Sequence, residues 1–459
     1  MLVSLEKTRR HSTGRLLSHG ALLTFFLVGS ASADDTPNEG NRALIYTHND
    51  AEARLLVIDP ENESAVADIW LRDAFPEWCM YGDLTQACFL LGGHHLVVDG
   101  HDYAAVAAAR RENLFTAIVQ ISFKDEAPVW FIDQVDFTGV ESNRECTKPC
   151  GAPGAVPAAC RLGEVHGLNV VAQDLDAKWA EVITTDPGNS RVERVHLDYS
   201  DGNTCAQAQW VLDDSNPGWP PLSWPNAVQY LEEPEGEFVL VSYYNEGTTT
   251  PAGGRVRLFQ IQGDELTLVW AFPDDASSPA PYLMEPHGAR INTDPATGQR
   301  FLTYAHSAGL AKRGGDNNSG GTLGIARIDS IWDPPTYLGE WILPDAFDPL
   351  DFPREFEILS DGRMLASDAG CFWIAHPALS CPSEIYLLDP ETLPSSNLGG
   401  TWTKRHNDQN IVELSQSEVI QEVSCGLQLI FEADYIPADA LGSDLRHALD
   451  AGGVSCADL

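Results

Sequence analysis

The stretch WPNAVQYLEEPEGEFVLVSYYN (224–245) decides the fold. Apolar and polar residues alternate through AVQYLEE, the chain turns at Pro234-Glu235-Gly236-Glu237, and alternation resumes in FVLVSYYN. Period-two alternation on both sides of a glycine-bearing turn predicts an antiparallel hairpin, since glycine adopts the positive φ that tight turns need. RVRLFQIQ (255–262) and LVWAF (268–272) supply two more strands, the last carrying Trp270. The unit is therefore hairpin, strand, and strand with tryptophan.

The same order recurs. The strands ARLLVID (53–59), TAIVQISF (116–123), VERVHLDY (192–199), RVRLFQIQ, LGIARIDS (323–330) and EIYLLDP (384–390) each precede a run holding Trp70, Trp130, Trp210, Trp270, Trp341 or Trp402. These tryptophans are 60, 80, 60, 71 and 61 residues apart. A second hairpin, FEIL, Ser360-Asp361-Gly362, RMLASDAG, repeats the first. Four-stranded units of this length suit propeller blades, which cover one another's faces and leave only short edges. The expectation is an all-β chain, a six-bladed β-propeller with four-stranded antiparallel blades and tryptophans packed between them. The first unit shows only three strands, LIYTHND (44–50), ARLLVID and AVADIWL (65–71). A tail strand from NIVELSQ (410–416) or GLQLIFEADYI (426–436) should then close the ring against the N-terminal strands.

The N-terminus reads as an export signal. Lys7, Arg9, Arg10 and Arg15 precede the apolar run ALLTFFLVG (21–29), and Ala31-Ser32-Ala33 offers small residues for cleavage. The predicted organisation is a signal peptide at 1–33, a linker at 34–41, and a single propeller domain at 42–459. The expected location is secreted or periplasmic after cleavage near Ala33. No apolar run is long enough for a membrane span. Ten cysteines, an even number, fit an oxidising compartment. Cys79 with Cys88, and Cys371 with Cys381, would each close a short loop, and Cys425 with Cys456 would staple the tail. Cys146, Cys150, Cys160 and Cys205 leave the remaining connectivity open. The formal charge is −39, and the leader carries net +3, so the remainder is near −42. Such a surface repels nucleic acid and anionic lipid.

In a propeller the first strand of each blade lines the central channel, so residues at its start converge. Those residues are His166 in EVHGL (164–168), Asn226 in WPNAV (224–228), His287 in EPHGA (285–289) and Arg354 in FPREF (352–356). In the second unit the matching place falls at His94 or His95, within GGHHLVVDG (92–100). The position stays polar while its neighbours stay apolar, which pure packing would not produce. Cysteine-bearing loops at 72–93 and 136–165, and a loop with Trp219 and Trp224, lead into these strands. Together they outline a pocket for a small molecule. Gly314–Gly321 (GGDNNSGG) reads as a flexible loop, and His101-Asp102 as a polar turn.

Two segments resemble the bacterial arylsulfotransferases, which are six-bladed propellers: WPNAVQYLEEPEGEFVLVSYYN, and LVWAF followed by EPHGARINTDPATGQRFLTYAHSAG (285–309). The resemblance spans about residues 160–370. It implies cofactor-free sulfuryl transfer from an aryl sulfate to a phenol, with an axial histidine as nucleophile. His166, His287, Arg354 and Asn226 would then be catalytic, and Trp219, Trp224, His94 and His95 would bind substrate. Gly288 stands where the family's Asp follows the histidine, and Arg354 where a histidine would be expected. Two other readings stay open. One is a metal-dependent enzyme using His94, His166 and His287, since neutral imidazole suits copper, zinc or iron. The other is a non-catalytic binding propeller.

Overall fold

The computed structural model describes residues 44–49, 53–79, 88–110, 115–140, 157–219, 223–245, 254–263, 265–273, 286–306, 322–342, 353–360, 362–368, 384–388, 404–405, 409–413, 419–423, 425 and 430–456. The expected leader and linker, the pairs Cys146/Cys150 and Cys371/Cys381, the Gly314–Gly321 segment and Trp402 lie outside these residues.

Six antiparallel sheets form a closed ring, the arrangement of a six-bladed β-propeller. Blade 4 is the deciding stretch itself: Trp224–Glu233, Gly236–Asn245, Arg255–Gln262 and Glu265–Phe272, from the axis outwards. Gly236 turns its hairpin at φ 136° and Gly362 sits at φ 88° in the blade 6 hairpin, so both turns take the conformation that glycine alone accepts readily. The other innermost strands are Cys88–Val98 in blade 2, Leu168–Asp174 in blade 3, Pro286–Thr293 in blade 5 and Pro353–Ile358 in blade 6.

The tail closes the ring. Ile430–Ile436, from GLQLIFEADYI, is the innermost strand of blade 1 and pairs antiparallel with Leu44–Asn49. The tail then crosses to the rim, where Val454–Ser455 pairs with the outer strand Ser64–Trp70. The disulfide Cys425–Cys456 joins the two ends of this wrap, and Cys79–Cys88 closes the short loop before blade 2. Cys160 and Cys205 are also disulfide-bonded. NIVELSQ does not close the ring. Its strand Gln409–Glu413 runs parallel to Thr336–Ile342 on the outside of blade 5, and Val419–Val423 is the fourth strand of blade 6.

The tryptophans pack between blades where their register allows. Trp130, Trp210 and Trp270 share one place, facing Gln120, Arg194 and Leu258 beside a bulge, and each is 3% exposed. In blade 5 Gly339 holds that place, and Trp341 two residues on keeps the same face, at 1% exposed against Phe356 of blade 6. In blade 1 Ala67 holds it. Trp70, three residues on, falls on the opposite face and lies half-buried under Arg54 and Arg72. The spacing of Trp70 thus resembles the repeat without sharing its register.

No helix among the described residues is long and apolar enough to cross a membrane.

Candidate functional site

The innermost strands are interrupted at one level. Pairing jumps from Pro225 to Val228, from Pro286 to Ala289, from Pro353 to Glu355 and from Leu90 to Gly92. The residues skipped include Asn226, His287, Arg354 and Leu91. A bulge re-aims a side chain out of the pleat. These four, with His166 just before the blade 3 strand, line one small space on the axis. The predicted convergence of His166, Asn226, His287 and Arg354 is therefore present.

Hydroxyl groups hold the bulges in place. Gly167 N–H donates to Thr185 Oγ1 at 2.7 Å, and that hydroxyl donates to Asn226 O of the next blade at 2.7 Å. Ala227 N–H donates to Ser242 Oγ at 2.9 Å, and Ser242 donates to His287 O at 2.5 Å. Glu355 N–H donates to Ser367 Oγ at 3.2 Å. Backbone groups freed by the bulges are thus satisfied, as buried amides must be. The Ser-bearing second strand of each hairpin, LVSYYN and LASD, is explained by this relay. Glycine follows both histidines because the blades approach closely. A Cβ on Gly167 would lie 2.6 Å from Val228 N, and one on Gly288 would lie 2.4 Å from Arg354 O. Aspartate cannot occupy position 288 in this packing.

His287 is the hub of the ring. Its Nδ1 accepts from Asn226 Nδ2 and Arg354 Nη1, and Arg354 Nη1 lies 3.2 Å from its Nε2. Guanidinium only donates, so His287 Nδ1 carries no proton. Burial and the Arg354 charge push His287 well below the usual histidine range, and the same causes push His166 down to about 3. Both imidazoles are neutral at pH 7. The ring is tight, enclosing about 10 Å³, roughly the room of one water.

His94 and His95 do not belong to this ring. A one-residue bulge puts Leu91 in the blade 2 place, and the two histidines lie further along the strand. They line a second, larger axial cavity of about 290 Å³. There His95 Nε2 bonds Asp102 Oδ1 at 2.8 Å. Asp102 in turn accepts the backbone N–H groups of Gly442, Asp444 and Leu445 at the start of the helix Ser443–Ala451. Asp102 is therefore a helix cap rather than part of a bare polar turn, and His101 pairs with Asp444 at 3.1 Å. Burial pushes His94 down to about 4.

The sequence reading missed the rest of this cavity: Arg290, Glu355, Glu357 and Asp434. Arg290 Nη2 donates to Glu355 Oε2 at 2.8 Å and to Asp434 Oδ1 at 2.6 Å, and its Nη1 is 3.7 Å from Glu357 Oε2. Burial raises the carboxyl groups of Glu355 and Glu357, the latter to about 8, against the opposing pull of Arg290. The signal was available, because Glu355 and Glu357 alternate along PREFEI and Arg290 follows His287 by three positions.

The two tryptophans divide. Trp219 is 6% exposed and packs edge-on against Tyr243 at 5.0 Å and near Phe259, in the core between blades 3 and 4. It is a packing residue and does not line the axial space. Trp224 is 36% exposed, two residues before Asn226. Among the described residues no three His, Cys, Asp or Glu side chains are grouped to hold a metal ion. His94 lies at a different level from His166 and His287, so the three-histidine metal arrangement is not formed.

No protein-family model matches the chain, and no curated protein matches it. Solved structures do. A protein of unknown function from Bacteroides caccae is 9% identical with a TM-score of 0.44, over 86% of this chain and 99% of that one. An α-L-arabinanase from Penicillium chrysogenum, solved with arabinobiose, is 9% identical with a TM-score of 0.37, over 66% and 78%. The Dos1 propeller is 9% identical with a TM-score of 0.36, over 77% and 71%. Likeness at this level carries no argument about activity. What the chain itself establishes is a six-bladed propeller with two polar levels on its axis.

Proposed function

We propose that the protein is an exported propeller enzyme, released by cleavage near Ala33, whose axial ring moves a sulfuryl group from an aryl sulfate to a phenol. The observation that supports this reading is the meeting of two neutral imidazoles, a guanidinium and a carboxamide at the bulged start of adjoining inner strands. A nucleophilic histidine must be neutral, and a transferring sulfuryl group needs fixed N–H donors for its non-bridging oxygens.

The engagement of His287 Nδ1 by Arg354 and Asn226 favours His166 as the attacking base. An N–S bond forms as the aryl S–O bond breaks, and the phenolate leaves with the electron pair. The proton on the other nitrogen of the sulfated imidazole passes to that phenolate. The acceptor phenol then reverses the sequence: its oxygen attacks sulfur, the N–S bond breaks and the phenol's proton returns to His166. Arg354 and Asn226 steady the sulfuryl oxygens, and Trp224 offers an exposed indole to the aryl ring. The reaction needs no cofactor.

The test is incubation with 4-nitrophenyl sulfate and a phenol acceptor, following nitrophenolate release and the mass of the histidine peptides. Turnover that disappears in His166→Ala, with one sulfuryl group trapped on the His166 peptide of the wild type, is the expected result. No release by the wild type, or undiminished release by the His166→Ala/His287→Ala double variant, overturns it.

The tightness of the ring favours a second reading. Space for one water beside a cavity of about 290 Å³ suits a propeller that holds a small polar ligand below the ring without turning it over.

A further inference from the structure

The outer edges of the blades are not finished alike. In blade 3 the outer strand Cys205–Leu212 is covered by Gln134–Asp136, which runs parallel to it and pairs with Cys205, Ala206 and Gln207. In blade 5 the outer strand is covered by the parallel strand Gln409–Glu413, and in blade 1 by Val454–Ser455. Blade 2 ends in Ala127–Ile132, an edge blunted by Pro128. The outer strand of blade 4, Glu265–Phe272, carries no proline, and among the described residues no strand pairs with its free side.

Trp210 and Trp270 hold one place in the repeat, so Glu265, Leu266 and Thr267 match Cys205, Ala206 and Gln207. The covering strand of blade 3 puts Val135 opposite Ala206, 1% exposed and in the same apolar cluster. In blade 4 the matching place is a cavity of about 540 Å³, bordered by Glu265, Leu266 and Thr267 and by Gly139, Val140 and Trp210. Glu265 and Thr267 are exposed, so the edge is open to solvent there, while Leu266 and Trp210 form a buried apolar floor. A free strand edge offers backbone N–H and C=O groups that an extended peptide can pair with. A branched aliphatic side chain opposite Leu266 would enter the cavity as Val135 enters the core of blade 3. Basic residues on either side of it suit exposed Glu265 and a chain of formal charge −39.

We propose that the outer edge of blade 4 is a docking site for an extended basic peptide, which adds to Glu265–Phe272 as a parallel strand and seats an aliphatic side chain beside Leu266. The chain's own covering strands on blades 3 and 5 set the pose, since both run parallel to the strand they cover. The site does not rest on sulfuryl transfer: it is built from outer strands and shares no residue with the axial ring or the lower cavity.

Calorimetric titration of the full chain at pH 7 and fixed ionic strength, with amide hydrogen exchange read by mass spectrometry, tests it. The probe is the peptide acetyl-Gly-Ser-Lys-Val-Lys-Val-Lys-Ser-Gly-amide. Its counterparts are the same peptide with both valines N-methylated, which keeps the charge and removes the N–H donors, and one with glutamate for lysine. The expected result is saturable one-to-one binding of the first peptide alone, with slower exchange confined to residues 265–272. Glu265→Lys, an exposed position that leaves the fold intact, should weaken binding about fivefold by turning an attractive cross-strand pair into a repulsive one. No one-to-one binding, equal binding of the N-methylated peptide, unchanged exchange at 265–272, or unchanged affinity in Glu265→Lys overturns the proposal. Slower exchange of 265–272 on raising the protein concentration without peptide would make the partner a second copy of the chain, and overturns it too. Aryl sulfate turnover is not read in these measurements, so the two readings fail separately.

Discussion

Arg354 and Glu355 are consecutive in the chain yet belong to opposite chemical settings. Arg354 faces the upper ring, where both histidines are neutral and feel its positive charge. Glu355 faces the lower cavity, where carboxyl groups surround Arg290 and burial raises those of Glu355 and Glu357. The same strands thus carry two levels of opposite electrostatic character. The bulges make this possible: they turn one residue per blade to the upper space, and the next residues resume the pleat around the lower one.

The largest effect should come from removing the cation of the lower level. Arg290→Met strands Glu355, Glu357 and Asp434 together. Denaturant unfolding at pH 7 should show a loss of about 3 kcal/mol, the lower end for breaking a buried ion pair because Arg290 also borders the cavity. A variant as stable as wild type would show that the two levels are not held apart by charge.

Asp102→Ala should come next, at about 2 kcal/mol, since three backbone N–H groups at the start of Ser443–Ala451 lose a charged acceptor. Burial pulls Asp102's carboxyl upward, but its bonds to His95 and the helix outweigh that and hold it below its ordinary range. Its contribution is therefore present above the unfolded pKa of about 4 and fades as pH falls through the folded value. Hydrogen exchange should show the helix opening first in this variant.

Glu357 has the opposite sign. With its folded pKa pushed up to about 8, the folded state holds a proton that the unfolded chain has released. Stability should fall as pH rises from about 5 to about 8, by at most about 1.4 kcal/mol per pH unit for this group. Glu357→Gln should flatten that slope, and an unchanged slope would place its source elsewhere. The smallest change should follow Arg354→Met. Histidine resonances should show His166 and His287 titrating nearer the ordinary range, while the pH slope set by Glu357 stays as it was.

The ring architecture was legible because alternation, turn glycines and strand order repeat, and because His166, Asn226, His287 and Arg354 hold one place in that order. The blade 2 member was misplaced because a single-residue bulge is invisible in a strand that alternates on both sides of it. Trp219 was misread for a related reason: a loop aromatic shows no period, so its burial against Tyr243 could not be distinguished from exposure at a rim. The Arg290 cluster joins blades 5, 6 and 1, and the Asp102 cap joins residues about 340 positions apart, so neither leaves a local pattern. The tryptophan count reached six, yet among the five in described residues three share a register, and spacing alone does not separate those from Trp70 and Trp341.

Because the axis strand of blade 1 is Ile430–Ile436, the chain lays down five blades and three strands of the sixth before it can complete its centre. Domains assemble as their sequence emerges, so a molecule passing through a membrane N-terminus first would carry no lower cavity until nearly all of it had crossed. A nascent chain, or one clipped before residue 430, would lack Asp434 while keeping every residue of the upper ring. The lower cavity is in this sense timed by synthesis, as a property of the finished molecule alone.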